Sequence, residues 1–294
     1  MGFERALDFV TAALEARDAA DPAVAENQRT QVYRGKRGAG VVMLLHGLTA
    51  SPPAWRAVAE ALHARGRTVI VPRLLLHGHA DRMTDALQAL TPEALVEDVT
   101  AMVTLAETLG ESLTIAGHSL GATLAIDAVA RTQSVARIVA VAPFLGISRV
   151  PYEAHAVMLR MLDRLPNVFL WWDPRAKDTL MPAHGYPRYP INAISAGMSI
   201  ADRARAAVPH AGAVDIVLND RESSVSNRTA RRLAENWRTA GVSVAVHRIV
   251  GLGWSHDIIE PERPPAQLAL ATLLEIIDAD HAPADRVHHI TPEN

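Results

Sequence analysis

The 294-residue sequence contains no cysteine. Disulfide bonds, thiolate metal sites and cysteine nucleophiles are therefore excluded. An excess of positive charge is also absent, because the formal net charge is -3. A nucleic-acid-binding protein needs a basic surface, so we expect no nucleic-acid partner.

Long hydrophobic runs are missing as well. No run approaches the roughly 18 apolar residues that cross a bilayer, so we expect no integral membrane segment. The first residues carry acidic side chains and no continuous apolar stretch, unlike a secretory signal. These absences favour a cytoplasmic location. Residues 1–30 instead predict an amphipathic helix packed on the domain, with one apolar face formed by Phe3, Leu7, Val10 and Leu14.

Apolar runs and helical patterns alternate along the chain. Hydrophobic residues make up 49% of the sequence, which is enough for a sizeable core. Most of the runs are apolar on both faces, as strands of a covered parallel sheet are. The alternation predicts an α/β fold with a mostly parallel, doubly wound sheet. The predicted strands cover residues 41–45, 68–71, 113–116, 137–141, 214–218 and 242–249.

Aromatic residues are scarce but concentrated. The chain has 5 Trp, 4 Tyr and 4 Phe, and seven of these lie in the stretch without a predicted strand before Val214. That stretch is too long for a loop. We interpret residues 144–207 as a helical cap inserted over the carboxyl edge of the sheet, where such sheets bind ligands. Its candidate substrate-binding residues are Phe144, Trp171 and Trp172.

The remaining boundaries follow from this interpretation. The core of the fold is predicted over residues 31–143 and 208–280, and a polar, loosely ordered tail over residues 281–294. Nothing in the sequence indicates the oligomeric state.

The stretch "TIAGHSLGATLAI" contains the pattern G-x-S-x-G, with Ser119 between Gly117 and Gly121. An apolar run precedes it and a helical pattern follows, which is the context of a nucleophilic serine on a sharp strand-to-helix turn. Side chains at the two glycines would collide across that turn. A serine that only caps a helix would need neither glycine, so the pattern favours Ser119 as a nucleophile.

A serine hydroxyl needs a base, and the base needs an orienting acid. The chain order expected on this fold is serine, acid, histidine. His256 follows the last predicted strand and is the candidate base, whereas His247 lies inside that strand. Asp220 and Glu222 both follow the preceding strand, and the residues alone do not choose between them.

When a serine attacks a carbonyl carbon, the carbonyl oxygen becomes negatively charged. Two backbone N–H groups are needed to stabilise this oxyanion. One is expected from Leu120, the residue after the serine, and the other from Leu48 in the loop "HGLTASP". Gly47 permits the tight turn there, and we expect His46 to brace it. In "HGHAD", His77, His79 and Asp81 occupy every second position, a spacing that suits a strand. Metal ligands must converge on one point, which this spacing alone does not provide, so we predict no metal site here.

Taken together, "LLHGLTASPPAWRAVAEALHARGRTVIVPRLLLHGH", "GHSLGATLA" and "SHDII" resemble an α/β-hydrolase of the carboxylesterase and monoacylglycerol-lipase type. The resemblance covers roughly residues 40–145 and 212–275. It implies hydrolysis of carboxylic esters through an acyl-serine, without a cofactor. In the family an acid precedes a valine by three residues, and Glu222 with Val225 fits this spacing, so the resemblance favours Glu222.

The expected partner is therefore a small-molecule ester, of short to medium acyl chain or monoacylglycerol-like. A thioesterase, amidase or lactonase would use the same three side chains. A ligand-binding receptor of the same fold with low turnover is the alternative outside catalysis.

Overall fold

Eight strands form one sheet in the computed structural model, which describes residues 2–131, 134–162, 164–177, 181–279, 281 and 284–290. These strands are β1 (Gln31–Tyr33), β2 (Val41–Leu45), β3 (Thr68–Val71), β4 (Leu113–His118), β5 (Val135–Val141), β8 (Ala213–Asn219), β9 (Val244–Val250) and β10 (Arg286–His289). Their spatial order is β1-β3-β2-β4-β5-β8-β9-β10. All neighbouring strands are parallel except β1, which is antiparallel to β3. The small strands β6 (Phe169–Trp171) and β7 (Arg188–Pro190) pair separately.

Helices cover both faces of the sheet. Along β2, Met43 and Leu45 belong to the core on one face, while Val42 and Leu44 belong to the core on the other. Every residue of β2 is buried, as the apolar runs predict. The helices are α1 (Phe3–Ala19), α2 (Arg56–Ala64), α3 (Pro92–Glu107), α4 (Leu120–Val129), α5 (His155–Leu162), α6 (Ile191–Ala206), α7 (Asn227–Thr239) and α8 (Pro264–Asp278).

The two helical layers are recognisable from their buried residues. Helices α1, α3, α4 and α7 contribute to one core, and α2 and α8 to the other. The predicted doubly wound α/β sheet is thus confirmed. The predicted amphipathic face of α1 is also observed, because all four of its apolar residues are buried.

Between β5 and β8 the chain leaves the sheet. It forms α5, the antiparallel pair β6 and β7, and α6. Helix α6 packs against α4, the helix that follows the serine motif. This contact places α6 beside the helix that begins directly after Ser119.

The two edge strands differ from the sequence analysis. Strand β1 had no predicted counterpart, and β10 lies in the tail expected to be loosely ordered. The backbone of β10 pairs in register with β9, and His288 contacts the buried His247 with 3.1 Å between Nε2 and Nδ1. Residues 282, 283 and 291–294 of the predicted tail lie outside the described residues.

None of the helices in the described ranges is long and apolar enough to cross a membrane.

Candidate active site

Ser119 lies on a strained turn between β4 and α4. Its φ of 54° and ψ of -116° are in a region that non-glycine residues rarely adopt. The turn is tight because a Cβ on Gly117 would lie 2.4 Å from the backbone carbon of Gly121. The expected collision across the turn therefore exists. As a result, the Ser119 side chain projects from the carboxyl edge of the sheet at the amino end of α4.

His256 contacts Ser119 from the loop after β9. Its Nε2 lies 2.9 Å from Ser119 Oγ, and its Nδ1 lies 2.9 Å from Glu222 Oε2. The backbone carbonyl of His256 accepts a hydrogen bond of 2.9 Å from His118 Nε2. The structure thus brings together three side chains that are far apart in the sequence. His247 is not part of this group, because its Nε2 contacts Asp215 at 2.7 Å within the sheet.

Glu222 is held rigidly behind the imidazole. Its side chain is fully buried, and its Oε1 accepts hydrogen bonds from the backbone N–H groups of Ser224 and Val225 at 2.7 and 3.3 Å. Asp220, the other acid of this loop, points outward and pairs with Arg248 at 2.7 Å. Of the two acids that the residues left open, only Glu222 contacts His256.

The pKa values of Glu222 and His256 shift in opposite directions. Burial alone would raise the pKa of Glu222, but the hydrogen bond and charge of His256, with the two backbone N–H groups, lower it overall. Burial alone would lower the pKa of His256, but the hydrogen bond and charge of Glu222, aided by Asp257, raise it above 6.5. Glu222 therefore stays ionised and favours a positive charge on His256.

The two residues expected to supply backbone N–H groups, Leu48 and Leu120, line the same cavity as Ser119. The N–H of Leu120 belongs to the first turn of α4, where helical N–H groups have no partner within the helix. Leu48 lies in the loop after β2, and both residues line the cavity above Ser119. Among the described residues neither N–H makes a backbone or side-chain hydrogen bond. Both are available to an acceptor bound in the cavity.

His46 fixes the loop that carries Leu48. The backbone N–H of Leu74 donates to its Nε2 at 3.1 Å, so its Nδ1 carries the proton and donates to the carbonyl of Gly47 at 2.9 Å. Complete burial, with His77 nearby, holds the pKa of His46 well below 6.5. A neutral imidazole therefore braces this loop, as expected.

A cavity of about 410 Å³ opens above Ser119 and His256. Its wall is largely apolar. Side chains from the segment between β5 and β8 form much of it, namely Phe144, Ile147, Leu162, Leu170, Trp172, Tyr189, Ile191 and Ile194. Trp172 is anchored there by a hydrogen bond of 2.8 Å from its Nε1 to Thr49 Oγ1, and its ring lies 4.2 Å from that of Tyr189.

The structure places two of the three candidate substrate-binding residues on the cavity wall. Phe144 and Trp172 line the cavity, but Trp171 does not. Trp171 is the last residue of β6 and Trp172 follows it. Since side chains alternate along an extended chain, Leu170 and Trp172 share one side and Trp171 takes the other. Leu170 was missed by the sequence analysis. A strand assignment for "FLWW" would have found it together with Trp172.

The histidines of the loop after β3 serve as structural contacts. His79 Nε2 lies 3.0 Å from Asp21 Oδ2, and His77 Nδ1 lies 2.8 Å from the carbonyl of Leu75. With Asp81 they do not form a cluster of metal-ligating atoms in the described part of the chain.

Solved structures of lipolytic enzymes share this architecture. One of the metagenome-derived lipolytic enzymes LipS and LipT has a TM-score of 0.66 and 23% identity, covering 86% of this chain and 98% of its own. The monoacylglycerol lipase of Paleococcus ferrophilus has a TM-score of 0.64 and 19% identity, covering 85% and 97%. A soluble variant of the monoglyceride lipase of Saccharomyces cerevisiae has a TM-score of 0.64 and 12% identity, covering 85% and 90%. At these identities the likeness concerns the fold.

No curated protein matches the sequence at a significant level. The model of the alpha/beta hydrolase family, in contrast, matches residues 42–290, which include the serine turn, the acid loop and the histidine loop. The chain therefore belongs to the alpha/beta hydrolase family.

Proposed function

We propose that the protein is a serine hydrolase that cleaves carboxylic esters through an acyl-serine intermediate. The observation that carries this proposal is the continuous contact from Ser119 Oγ through His256 to the buried Glu222, at 2.9 Å on each side of the imidazole. A hydroxyl, an imidazole and a carboxylate in this order form a nucleophile, a base and an orienting acid.

In the first half-reaction, Ser119 Oγ attacks the ester carbonyl carbon while His256 Nε2 takes the hydroxyl proton. The negative oxygen that forms is held by the N–H groups of Leu48 and Leu120. When the carbon–oxygen bond of the ester breaks, His256 returns the proton to the leaving alcohol, and the acyl group remains on Ser119.

In the second half-reaction, His256 removes a proton from water, and the resulting hydroxide attacks the acyl-serine. The acid is released as Ser119 regains its proton. Glu222 remains ionised throughout and stabilises the imidazolium that forms in each half-reaction.

The lining of the cavity supports a proposal for the class of ester. We assign residues 144–207 as its cap, because this segment supplies most of the apolar wall. The wall offers few polar groups, so it favours an apolar acyl chain over a charged one. A volume of about 410 Å³ suits an acyl chain of short to medium length or a monoacylglycerol-like ester.

Hydrolysis of p-nitrophenyl esters from acetate to palmitate tests the proposal. We expect wild-type turnover with an optimum at short to medium chain length, and a loss of about 10⁶-fold in Ser119→Ala. Ser112→Ala is the matched control, because Ser112 is exposed at the opposite end of β4. Activity that persists in Ser119→Ala would exclude the mechanism.

The same assay separates the alternatives when thioester, anilide and lactone substrates are added. Turnover confined to one of these would identify a thioesterase, amidase or lactonase with the same three residues. Stoichiometric ligand retention without turnover on any substrate would identify a binding protein instead.

A further inference from the structure

A second cluster of titratable side chains lies between the cap and the segment after His256, apart from the three residues of the active site. His184 belongs to the turn before β7, and Glu260 and Glu262 belong to the segment between His256 and α8. One ligand atom from each residue lies within 4.8 Å of the other two. His184 and Glu260 are 8% and 5% exposed, whereas Glu262 is exposed.

Ser51 determines which nitrogen of His184 is free. The Ser51 hydroxyl donates to the carbonyl of His184 at 3.0 Å, and its oxygen lies 3.3 Å from His184 Nδ1. Since its proton is used, this oxygen can only accept from Nδ1–H. His184 Nε2 therefore faces the two glutamates and needs a partner on that side.

The contact between His184 and Glu260 is not a well-formed hydrogen bond. Nε2 lies 3.0 Å from Glu260 Oε2, yet it is buried without a hydrogen-bond partner of acceptable angle. An N–H on the ring would thus point beside the oxygen. Two ligands of one metal ion have this arrangement, because each is directed at the ion and not at the other ligand.

We propose that His184 Nε2, Glu260 and Glu262 bind one divalent transition-metal ion, with Zn²⁺ as the first candidate. Zn²⁺ takes imidazole nitrogen and carboxylate oxygen at about 2.0–2.2 Å, and three protein ligands leave a fourth position for water. The bond of Nδ1 to Ser51 is the kind of outer contact that orients a metal-binding histidine. The ion would also neutralise the buried Glu260 carboxylate.

The proposed ion would join three segments around the active site. His184 brings the cap, Glu260 and Glu262 bring the segment after His256, and Ser51 belongs to the loop after Leu48. Tyr186 already ties the cap to the same loop through a backbone hydrogen bond of 2.8 Å to Thr49. The ion is structural and takes no part in the ester hydrolysis proposed above.

Titration of untagged, chelator-treated protein tests this site, with ZnCl₂ followed by calorimetry and CoCl₂ followed by its visible absorption. We expect one equivalent to bind and Glu262→Gln to weaken binding by about tenfold or more. Because Glu262 is exposed, this variant should fold normally. Glu275→Gln, an exposed glutamate on α8, is the matched control and should bind like the wild type.

Ser119→Ala tests whether the ion instead binds at the serine, and it should leave the titration unchanged. His184→Asn should abolish the cobalt absorption. The proposal is overturned if the wild type binds no stoichiometric ion, if Glu262→Gln and Glu275→Gln bind equally, or if Ser119→Ala loses the ion.

Discussion

Gly121 and Leu45 approach so closely that a Cβ on Gly121 would lie 2.2 Å from the carbonyl oxygen of Leu45. The same Cβ would lie 2.5 Å from the carbonyl oxygen of His46. The first turn of α4 is therefore packed directly on the end of β2. This contact sets the loop of Leu48 beside Ser119. One glycine therefore controls the distance between the proposed nucleophile and a proposed oxyanion donor.

Gly121→Ala should damage both stability and activity. The added methyl group meets backbone atoms, which cannot rotate away, so β2 and α4 must separate. We expect a loss of about 1–3 kcal/mol in the free energy of unfolding, measured by urea denaturation. Gly2→Ala is the control, because a Cβ there meets nothing within 4 Å. Wild-type stability and activity in Gly121→Ala would show that the turn does not need this close packing.

The sequence predicted the features that depend on local pattern. The five residues of β2 are apolar on both faces, and the glycines around Ser119, between an apolar run and a helical pattern, predict a sharp turn. Strand β10 could not be predicted in this way. It has four residues, mostly polar, and its order comes from backbone pairing with β9 at the edge of the sheet.

The choice between Asp220 and Glu222 also required the folded chain. The two acids lie two positions apart in one loop, so residue type and position in the sequence do not distinguish which one contacts the histidine. After β8 the backbone N–H of Asp220 donates a hydrogen bond to the carbonyl of Ile249. The chain then turns, and the backbone N–H of Glu222 donates to the carbonyl of Asn219. This path directs one carboxylate outward and the other inward. Residue spacing from the family resemblance predicted the same choice, but not its cause.

Glu222→Gln should reduce turnover by about 10⁴-fold, whereas Asp220→Asn should leave it near the wild-type value. Glutamine retains the shape of the side chain but cannot stabilise the positive charge on His256. Asp220 pairs with Arg248 on the surface, away from His256. The measurement is kcat/KM on the best p-nitrophenyl ester for both variants. Equal losses in the two variants, or a greater loss in Asp220→Asn, would contradict the role of Glu222.

The pH dependence of kcat/KM should report His256. The proposed reaction requires a neutral His256 imidazole, and contact with Glu222 raises the pKa of His256 above 6.5 despite its burial. Activity should therefore be full at pH values above this raised pKa and fall as the pH decreases through it. In Glu222→Gln the midpoint of the residual activity should move to lower pH, while Asp220→Asn should keep the wild-type midpoint. An unchanged midpoint in Glu222→Gln would mean that another group controls the profile.

Trp172→Ala should impair binding of the acyl chain, and Trp171→Ala should not. Trp172 lines the cavity, so its removal exposes bound substrate to water and should raise KM by about tenfold for medium-chain esters. Trp171 lies next to it in the chain but outside the cavity wall, which makes it the matched control.

Trp172→Phe keeps an aromatic wall and removes only the hydrogen bond to Thr49. Steady-state kinetics across the ester series should therefore rank the KM of Trp172→Phe between wild type and Trp172→Ala. A larger effect of Trp171→Ala would place the acyl chain elsewhere, on the opposite side of β6.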